Sequence, residues 1–544
     1  MSGEDWHIGA AEPSRADGAA ARLRHSPAAG CEARRARTPE ILSTEQHPNV
    51  DKHPKAPVAT HEAQPGRAAS LAGWLTGATG NRFVRARLPS ATASGRSVSY
   101  ALGALIPVLW ILGHWDAPLV EDALFWFVPT AIQQAEFGPV LAAHGPLPLD
   151  VIGHGAPIPP QWASGLPDYG HPPLWYWWLG AFLRFGCTLG SVRAACLLPA
   201  AAIGVGFVAL ADTHRRPLAG LAVWTIPGVL AQLLRPELDL PLLACVPLAL
   251  EALNRGAWTR FAVCAALATW IKEPGVLLVV PGLAQALRRR EAPVPVLAPV
   301  GALAVWAAVH GGLAPVVQSP ASWTELGDNL LGTGRFLAVD QGRMLLLLGA
   351  GGLLVAPAEL SFVLASCIFF AFVRYYANDG TLDAYTHVRY LLPAVAVFVV
   401  TTAARMPVPL ALAQLLWLHR VHLNGPEASM AGIDSAYADR AALESLPSQA
   451  TPWVGSYLAA GVGRTWTGYP DIPVRSYDFS TTPVSLAEGA LLIESAYGEP
   501  ATRLERGLIV EPVSTLTVGD VHARVVRVLA QNPAGWVPAA APPR

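Results

Sequence analysis

Long apolar segments alternate with short polar ones through the middle of the chain, from Val98 to about residue 420. Many of these segments approach the ~20 residues that a helix needs to cross a bilayer. The pattern predicts about 11 transmembrane helices, near 98–114, 192–211, 217–234, 238–253, 260–271, 274–287, 295–315, 343–357, 358–373, 390–403 and 406–420. We therefore expect an all-α polytopic membrane protein over residues 98–420.

The two ends of the chain have different patterns. Residues 1–97 are rich in Ala, Pro, Arg and His without a lasting apolar period, which predicts a disordered tail. After residue 420, the segment SMAGIDSAYADRAALESL has helical spacing, whereas GALLIESAYG and VHARVVRVLA are typical of strands. Residues 421–544 are therefore expected to form a small α/β domain outside the membrane.

Composition supports a membrane protein. The chain is 52% hydrophobic and only 14% charged, with a mean hydropathy of +0.35. A soluble protein of this length needs more charge to cover its surface. The net charge of -1 also argues against a nucleic-acid partner, which would require a basic surface.

Positive charge in the connections predicts the orientation in the membrane. If the tail is cytoplasmic, the basic connections 212–217, 254–260 and 288–291 and Arg405 are cytoplasmic too, as the positive-inside rule requires. The loop 115–191 and the domain 421–544 then lie outside. The rule is obeyed only in part, because the predicted outer segments also contain arginines, namely Arg184, Arg193, Arg235, Arg343 and Arg389.

The loop 115–191 is too long and too polar for a simple connection. Glu121 and Asp122 lie just beyond the first predicted span. Two carboxylates just above the hydrocarbon layer suit a general base or a metal ligand. The structural alternative is a solvated helix start, where acidic residues are also favoured.

An aromatic run later in the same loop, PDYGHPPLWYWWLG, predicts a helix lying along the membrane surface. The Pro172–Pro173 pair suits a helix start. The aromatic residues that follow suit the lipid headgroup layer: Trp175, Tyr176, Trp177 and Trp178. His171 could donate to a phosphate or a sugar hydroxyl, or simply cap this aromatic belt.

Three further motifs carry ionisable groups at the predicted outer ends of spans. Asp239 lies in LLRPELDLPLLA, Lys272 in ATWIKEPGVLL, and Arg389 with Tyr390 in THVRYLLP. A lysine or an arginine at such a position can hold a phosphate. The structural alternatives are an Arg235–Glu237 pair, a Lys272–Glu273 pair and interfacial anchoring by Arg389 and Tyr390. Such groups converging on one membrane face favour a reaction at the surface over transport, which would place them near the midplane.

These motifs, in this order, resemble those of the GT-C superfamily of membrane glycosyltransferases. The similarity covers roughly residues 98–420 and is to the branch of protein O-mannosyltransferases and lipid A aminoarabinose transferases. The HPPLWYW segment (171–177) and RYLLP (389–393) are its most specific parts. This chain departs from the family pattern in having Glu121-Asp122 where Asp-Glu is usual, and Glu273 and Pro274 between Lys272 and Gly275.

The resemblance implies a role for each motif. Asp122, assisted by Glu121, would accept the acceptor's proton or help bind a divalent metal ion, and Asp239 would support the donor or the metal. Lys272, Arg389, His171 and Tyr390 would bind the donor phosphate, and the aromatic helix would lie against the lipid chain.

The function implied is an inverting transfer of a sugar from a polyprenyl-phosphate donor to an acceptor hydroxyl on a protein, lipid or glycan. It would occur at the outer face of the cytoplasmic membrane, within the cell envelope. The alternative is a non-catalytic transporter or scaffold subunit on a similar helical framework.

Overall fold

The computed structural model describes residues 93–120, 123–137, 171–291, 293–310, 327, 330–331, 351–372, 384–406, 431–477, 486–495, 507–519 and 521–531. All of them fall within one compact unit, Ala86–Arg544. Most of the predicted tail, and the predicted span 406–420 beyond Met406, lie outside the described residues, so both stay predictions.

Helices dominate the described part of the chain. The α-helices are α1 (Ala93–Gly113), α2 (Val128–Phe137), α3 (Leu174–Leu183), α4 (Leu189–Thr213), α5 (Pro227–Leu233), α6 (Asp239–Arg255), α7 (Trp258–Ile271), α8 (Val279–Arg289), α9 (Ala298–His310), α10 (Pro357–Phe372), α11 (Ala384–Arg405), α12 (Ala431–Glu444) and α13 (Ser456–Gly461). Short 3₁₀ helices occupy Pro217–Thr225, Glu273–Leu278, Val294–Leu297 and Gly351–Val355, and a π-helical turn occupies Ala123–Phe127.

The predicted number of about 11 spanning helices is not confirmed. Within the described residues, two helices are long and apolar enough to cross a membrane: Ser94–Gly113 with a mean hydropathy of 1.4, and Leu189–Thr213 with 2.2. Four shorter apolar helices accompany them: Trp258–Ile271, Val294–Val309, Pro357–Ala371 and Leu391–Arg405.

Prolines explain why several predicted spans differ from the observed helices. The range 217–234 divides into a 3₁₀ helix and α5, and each of the two begins with a proline. The range 274–287 likewise starts within a 3₁₀ helix, Glu273–Leu278, before α8 begins. Proline lacks a backbone N–H and is favoured at the first turn of a helix, so it starts a new element where hydropathy alone predicts one continuous span.

Helix α4 packs against α1 and α6 in the largest buried cluster. Glycines allow α1 and α4 to cross closely, because a Cβ atom on Gly204 would lie 1.8 Å from the carbonyl oxygen of Gly103. Small residues at such crossings let helix backbones approach each other, as they do between helices in membranes.

The outer side of α1 is an exposed apolar stripe. Its residues recur three or four positions apart and are between 39% and 61% exposed: Val98, Leu102, Leu105, Leu109 and Leu112. This spacing places them on one side of the helix. An extended exposed apolar surface marks contact with a membrane or a partner, and its length along α1 fits a lipid-facing side.

A mixed sheet with α12 packed against it forms the C-terminal domain. Its strands are β1 (Trp453–Gly455), β2 (Arg475–Tyr477), β3 (Leu491–Glu494), β4 (Leu508–Val518) and β5 (Val521–Gln531), in the order β2-β1-β3-β5-β4. Strand β1 is parallel to β2 and β3, whereas β5 is antiparallel to β3 and β4. The predicted helix and the two predicted strands correspond to α12, β3 and β5.

Contacts between helix ends define two opposite faces of the helical part. The C-terminal ends of α4, α6 and α11 meet: Arg255 Nη2 lies 3.3 Å from Asp212 Oδ2, and Arg405 Nη2 lies 2.9 Å from His214 Nδ1. We call this end the arginine face. The arginine face contains the basic connections that the sequence predicts on one side of the membrane. The opposite end, where α6 begins at Asp239 and α7 ends before Lys272, is the Lys272 face.

The C-terminal domain lies on the Lys272 face, next to the end of α1 and the start of α4. The Leu119 amide donates to the Thr467 carbonyl at 2.8 Å, and the Leu189 amide donates to the Thr465 carbonyl at 3.1 Å. The domain therefore lies at the same end of the helical part as Asp239.

Candidate active site

A buried ion pair joins two of the predicted site residues. Lys272 Nζ lies 2.6 Å from Asp239 Oδ1, and the two side chains are 3% and 1% exposed. Asp239 is in the first turn of α6, where the helix dipole favours a carboxylate. Lys272 follows the last residue of α7 in an extended conformation, which directs the chain away from the helix axis.

A tight turn fixes the backbone of Lys272. Its amide donates to the carbonyl of Ala268 at 3.0 Å, and its carbonyl accepts from the amide of Gly275 at 2.9 Å. A Cβ atom on Gly275 would lie 2.4 Å from the carbonyl carbon of Ala268, so the turn fits only glycine without a shift of the backbone. The sequence KEPG thus places the ammonium beside α6.

Arg235 and Glu237 form the second pair near this site, and both are completely buried. Arg235 Nη1 lies 3.9 Å from Glu237 Oε1, and Gln232 Nε2 donates to Glu237 Oε2 at 3.2 Å. The Arg235–Glu237 pair that the sequence suggests is therefore present, but its charged atoms are 3.9 Å apart. Burying these two charges costs free energy. Such buried charges occur at functional sites as well as in structural ion pairs.

His171 pairs with Glu273. Its Nδ1 lies 2.9 Å from Glu273 Oε2, and both side chains are partly exposed. The alternative pairing of Lys272 with Glu273 is therefore not observed, since Lys272 contacts Asp239 and Glu273 contacts His171. This contact brings the start of the aromatic segment to the turn that carries Lys272.

The aromatic helix α3 is packed into the protein more deeply than the sequence predicts. Trp175 and Tyr176 are only 2% and 3% exposed, and Trp175 Nε1 donates to the carbonyl of Pro236 at 2.8 Å. Trp178 Nε1 donates to the carbonyl of Ala195 at 2.8 Å. The predicted lipid contact of Trp175 and Tyr176 is thus corrected, because both side chains are buried in the protein. Trp175 satisfies its ring N–H there, and α3 supports the segment that leads to Asp239.

Four predicted site residues are described only in part or not at all. Glu121 and Asp122 lie outside the described residues, between the buried Val120 and Ala123. Arg389 and Tyr390 belong to α11, but their side chains lie outside the described part. Because α11 ends on the arginine face, its first turns are directed towards the Lys272 face, about 24 Å away for 16 residues of helix.

The described residues do not fit a metal at Asp239. Its Oδ1 contacts the Lys272 ammonium, which would repel a divalent cation at the same oxygen. Among the residues that the structure describes, no group of three or more His, Cys, Asp or Glu side chains could hold a metal ion.

Arg193 is a site-forming residue that the sequence placed in an outer loop. It is completely buried in α4 and donates to the carbonyls of Leu234 and Ala117. Arg193 thereby ties the segment before Asp239 to the end of α1. The sequence signal for a buried role was the position of Arg193 inside the apolar run LGSVRAACLL, because an arginine within such a run requires hydrogen-bond acceptors inside the protein.

Comparison with known proteins yields distant structural matches. No family model matches the sequence, and no curated protein matches it. Solved structures that resemble this chain include ArnT from Cupriavidus metallidurans bound to undecaprenyl phosphate, with 14% identity and a TM-score of 0.43. The apo state of the same protein gives 13% identity and a TM-score of 0.43; each match covers 80% of this chain and 98% of ArnT.

ArnT is a GT-C lipid A aminoarabinose transferase. The likeness is too distant to support a statement about activity, donor or site residues. Those conclusions depend on the residues of this chain.

Proposed function

We propose that this protein is a membrane glycosyltransferase that takes its sugar from a polyprenyl-phosphate donor. The observation that supports this best is the buried Lys272–Asp239 pair at the end of two apolar helices. Burying two charges is costly, and a hydrophobic pair would stabilise the fold as well or better. Binding of an anionic substrate would explain why a lysine, rather than an apolar residue, occupies this position.

In the proposed reaction, the acceptor oxygen attacks the anomeric carbon, and the bond from that carbon to the phosphate oxygen breaks with inversion. The acceptor proton goes to Asp122, with Glu121 assisting. The departing polyprenyl phosphate gains negative charge, which the Lys272 ammonium and the Arg389 guanidinium stabilise. Asp239 orients the ammonium, which has three N–H donors and uses one of them in this pair.

The electrostatic balance supports a role for Arg389. The described pairs Arg235–Glu237 and Lys272–Asp239 are each neutral, and Glu273 adds a negative charge beside His171. A site of this composition attracts a phosphate only weakly. We therefore assign Arg389, with Tyr390 next to it, the additional positive charge and hydrogen-bond donors that a phosphate requires.

The setting that we propose is the outer face of a cytoplasmic membrane, with the N-terminal tail inside. The apolar stripe of α1 and the basic arginine face agree with this orientation. The C-terminal domain lies on the Lys272 face, where it could position an acceptor hydroxyl of a protein, lipid or glycan.

Incubating purified full-length protein with polyprenyl-phosphate sugars tests the proposal. We expect release of free polyprenyl phosphate from at least one donor, and loss of this release in Asp122→Asn and Lys272→Ala. Asp212→Asn is a matched control, because Asp212 is a largely buried, paired carboxylate on the arginine face; it should keep activity. Substrate uptake into proteoliposomes without chemical change would instead support a transporter.

A further inference from the structure

A cavity of about 420 Å³ lies on the arginine face, at the opposite end of α6 from Asp239. Residues from five segments line it: Thr213, His214, Asn254, Gln285, Arg288, Arg289, Val355, Ala356, Pro357 and Arg405. Its volume is within the range of sites for small ligands. The 17 residues of α6 separate it from the Lys272–Asp239 pair by about 25 Å.

The lining carries three guanidinium groups and no carboxylate. Arg289 Nη2 donates to the carbonyls of Leu253 at 3.2 Å and Asn254 at 3.0 Å, which holds this side chain against the end of α6. In the described part of the chain, Arg288 and Arg405 form no ion pair with a carboxylate. Among the described residues that line it, the cavity thus has an excess of positive charge.

A buried carboxylate behind the lining balances only part of this charge. Glu359 is completely buried and accepts from Asn254 Nδ2 at 2.7 Å and from His214 Nε2 at 3.0 Å. His214 Nδ1 lies 2.9 Å from Arg405 Nη2, and an arginine can only donate. His214 therefore accepts at Nδ1 and donates from Nε2 to Glu359.

Gln285 gives an independent indication of a ligand. It is 4% exposed, its Nε2 donates to the carbonyl of Leu253 at 3.4 Å, and its Oε1 has no hydrogen-bond partner among the described residues. A buried acceptor without a donor costs free energy. A ligand that combines negative charge with an O–H group would satisfy the guanidinium groups and this oxygen together.

We propose that the arginine face binds a phosphate group in this cavity, through Arg288, Arg405 and Arg289, with an adjacent O–H donating to Gln285. Hydrogen phosphate has this chemistry, and so does the phosphoglycerol headgroup of a lipid. The site is separate from the proposed transfer site and does not depend on sugar transfer.

Thermal unfolding of the full-length protein in detergent tests the phosphate contact. Sodium phosphate should raise the unfolding temperature relative to sodium chloride of equal ionic strength. Arg288→Gln and Arg405→Gln should each weaken phosphate binding about tenfold, because each removes a charge-assisted hydrogen bond. Arg290→Gln is the matched control, since Arg290 carries the same charge on the same face and does not line the cavity; it should bind normally.

Native mass spectrometry distinguishes the two sources of phosphate. Retention of phosphatidylglycerol over phosphatidylcholine, lost in the Arg288→Gln, Arg405→Gln double variant, identifies a lipid headgroup. A response to inorganic phosphate without retained phosphatidylglycerol identifies a soluble phosphate. The proposal is overturned if neither probe binds the native protein, or if the folded double variant binds both equally well. Arg405→Lys, which keeps the charge, should retain most of the binding and so separates charge from folding.

Discussion

Lys272 and Asp239, 33 residues apart in the chain, meet with their charged atoms 2.6 Å apart and almost no exposed surface. Each charge compensates the burial of the other. Loss of one partner from such a pair leaves an uncompensated buried charge, whereas replacing both with apolar groups of similar volume is often neutral. This asymmetry makes it possible to separate the structural role of the pair from its proposed role in transfer.

The single variants Lys272→Met and Asp239→Leu should each destabilise the protein by about 3–5 kcal/mol. The double variant should recover most of the unfolding temperature, because neither charge of this pair then remains buried, and should still release no polyprenyl phosphate. Thermal unfolding in detergent, together with the donor-release assay, measures both properties on the same samples.

A double variant that is both stable and active would contradict the assignment of Lys272 to the donor phosphate. A double variant as unstable as the single ones would show that the pair holds the fold through more than charge compensation.

The turn that carries Lys272 gives a second prediction. Gly275→Ala should destabilise by about 1–3 kcal/mol, because its Cβ would lie 2.4 Å from the carbonyl carbon of Ala268 and force a backbone shift. Gly301→Ala is the control, since no atom lies within 4 Å of a Cβ at that position in α9. It should stabilise by about 0.5–1 kcal/mol. Comparing the two unfolding temperatures checks the prediction, and equal effects would contradict it.

Hydrophobic pattern was enough to predict a mostly helical protein with a small C-terminal α/β region, but not how many of the described helices are long enough to span a membrane. It also could not predict which charges pair. Lys272 has Glu273 as its neighbour in sequence, yet the turn directs Glu273 to His171 and Lys272 to α6. Pairing depends on side-chain directions in a turn, and hydropathy contains no information about these.

The surroundings of the tryptophans also could not be predicted from the sequence. An aromatic run next to a predicted membrane surface indicates an interfacial helix, because Trp suits a boundary between polar and apolar surroundings. Trp175 finds the same combination inside the protein, with an apolar cluster around the ring and the carbonyl of Pro236 at its N–H. Sequence pattern alone cannot distinguish a lipid boundary from a protein interior that offers one acceptor.

The environment of Tyr437, at the junction with the C-terminal domain, predicts that the stability of the protein depends on pH. Burial, the charge of Asp116 and its hydrogen bond raise the pKa of Tyr437 to about 12. Because the folded-state pKa is raised, this contribution to stability is complete below pH 10 and is lost as the pH rises through about 12. The difference in unfolding temperature between wild type and Tyr437→Phe should therefore shrink as the pH rises from 10 to about 12.

Tyrosinate absorbance, compared between wild type and Tyr437→Phe, follows this ionisation directly. Asp116→Asn should move it to lower pH, because Asp116 Oδ1 accepts from the phenol at 3.2 Å and its charge disfavours the tyrosinate. An unchanged titration in Asp116→Asn would contradict the contact.

Arg464 supplies the last prediction, on stability. It is 5% exposed, and burial lowers its pKa from the usual arginine value to about 10. The lowered pKa means that the buried charge costs about 3 kcal/mol of stability at neutral pH, and that this cost is relieved only as the pH rises above about 10. Its guanidinium carbon lies 5.7 Å from the ring of Trp466, an interaction worth about 0.5–1 kcal/mol. Arg464→Met should therefore raise the free energy of unfolding of the full-length protein by about 1–2 kcal/mol, measured by thermal unfolding at pH 7.

Arg475→Met is the matched control, because Arg475 lies 5.6 Å from the ring of Trp453 but is exposed. That variant should lose at most about 1 kcal/mol, since it removes a similar ring contact without relieving a buried charge. Arg464→Lys keeps a buried cation and should give no gain. A destabilised Arg464→Met protein would mean that the buried guanidinium stabilises the C-terminal domain more than its burial costs.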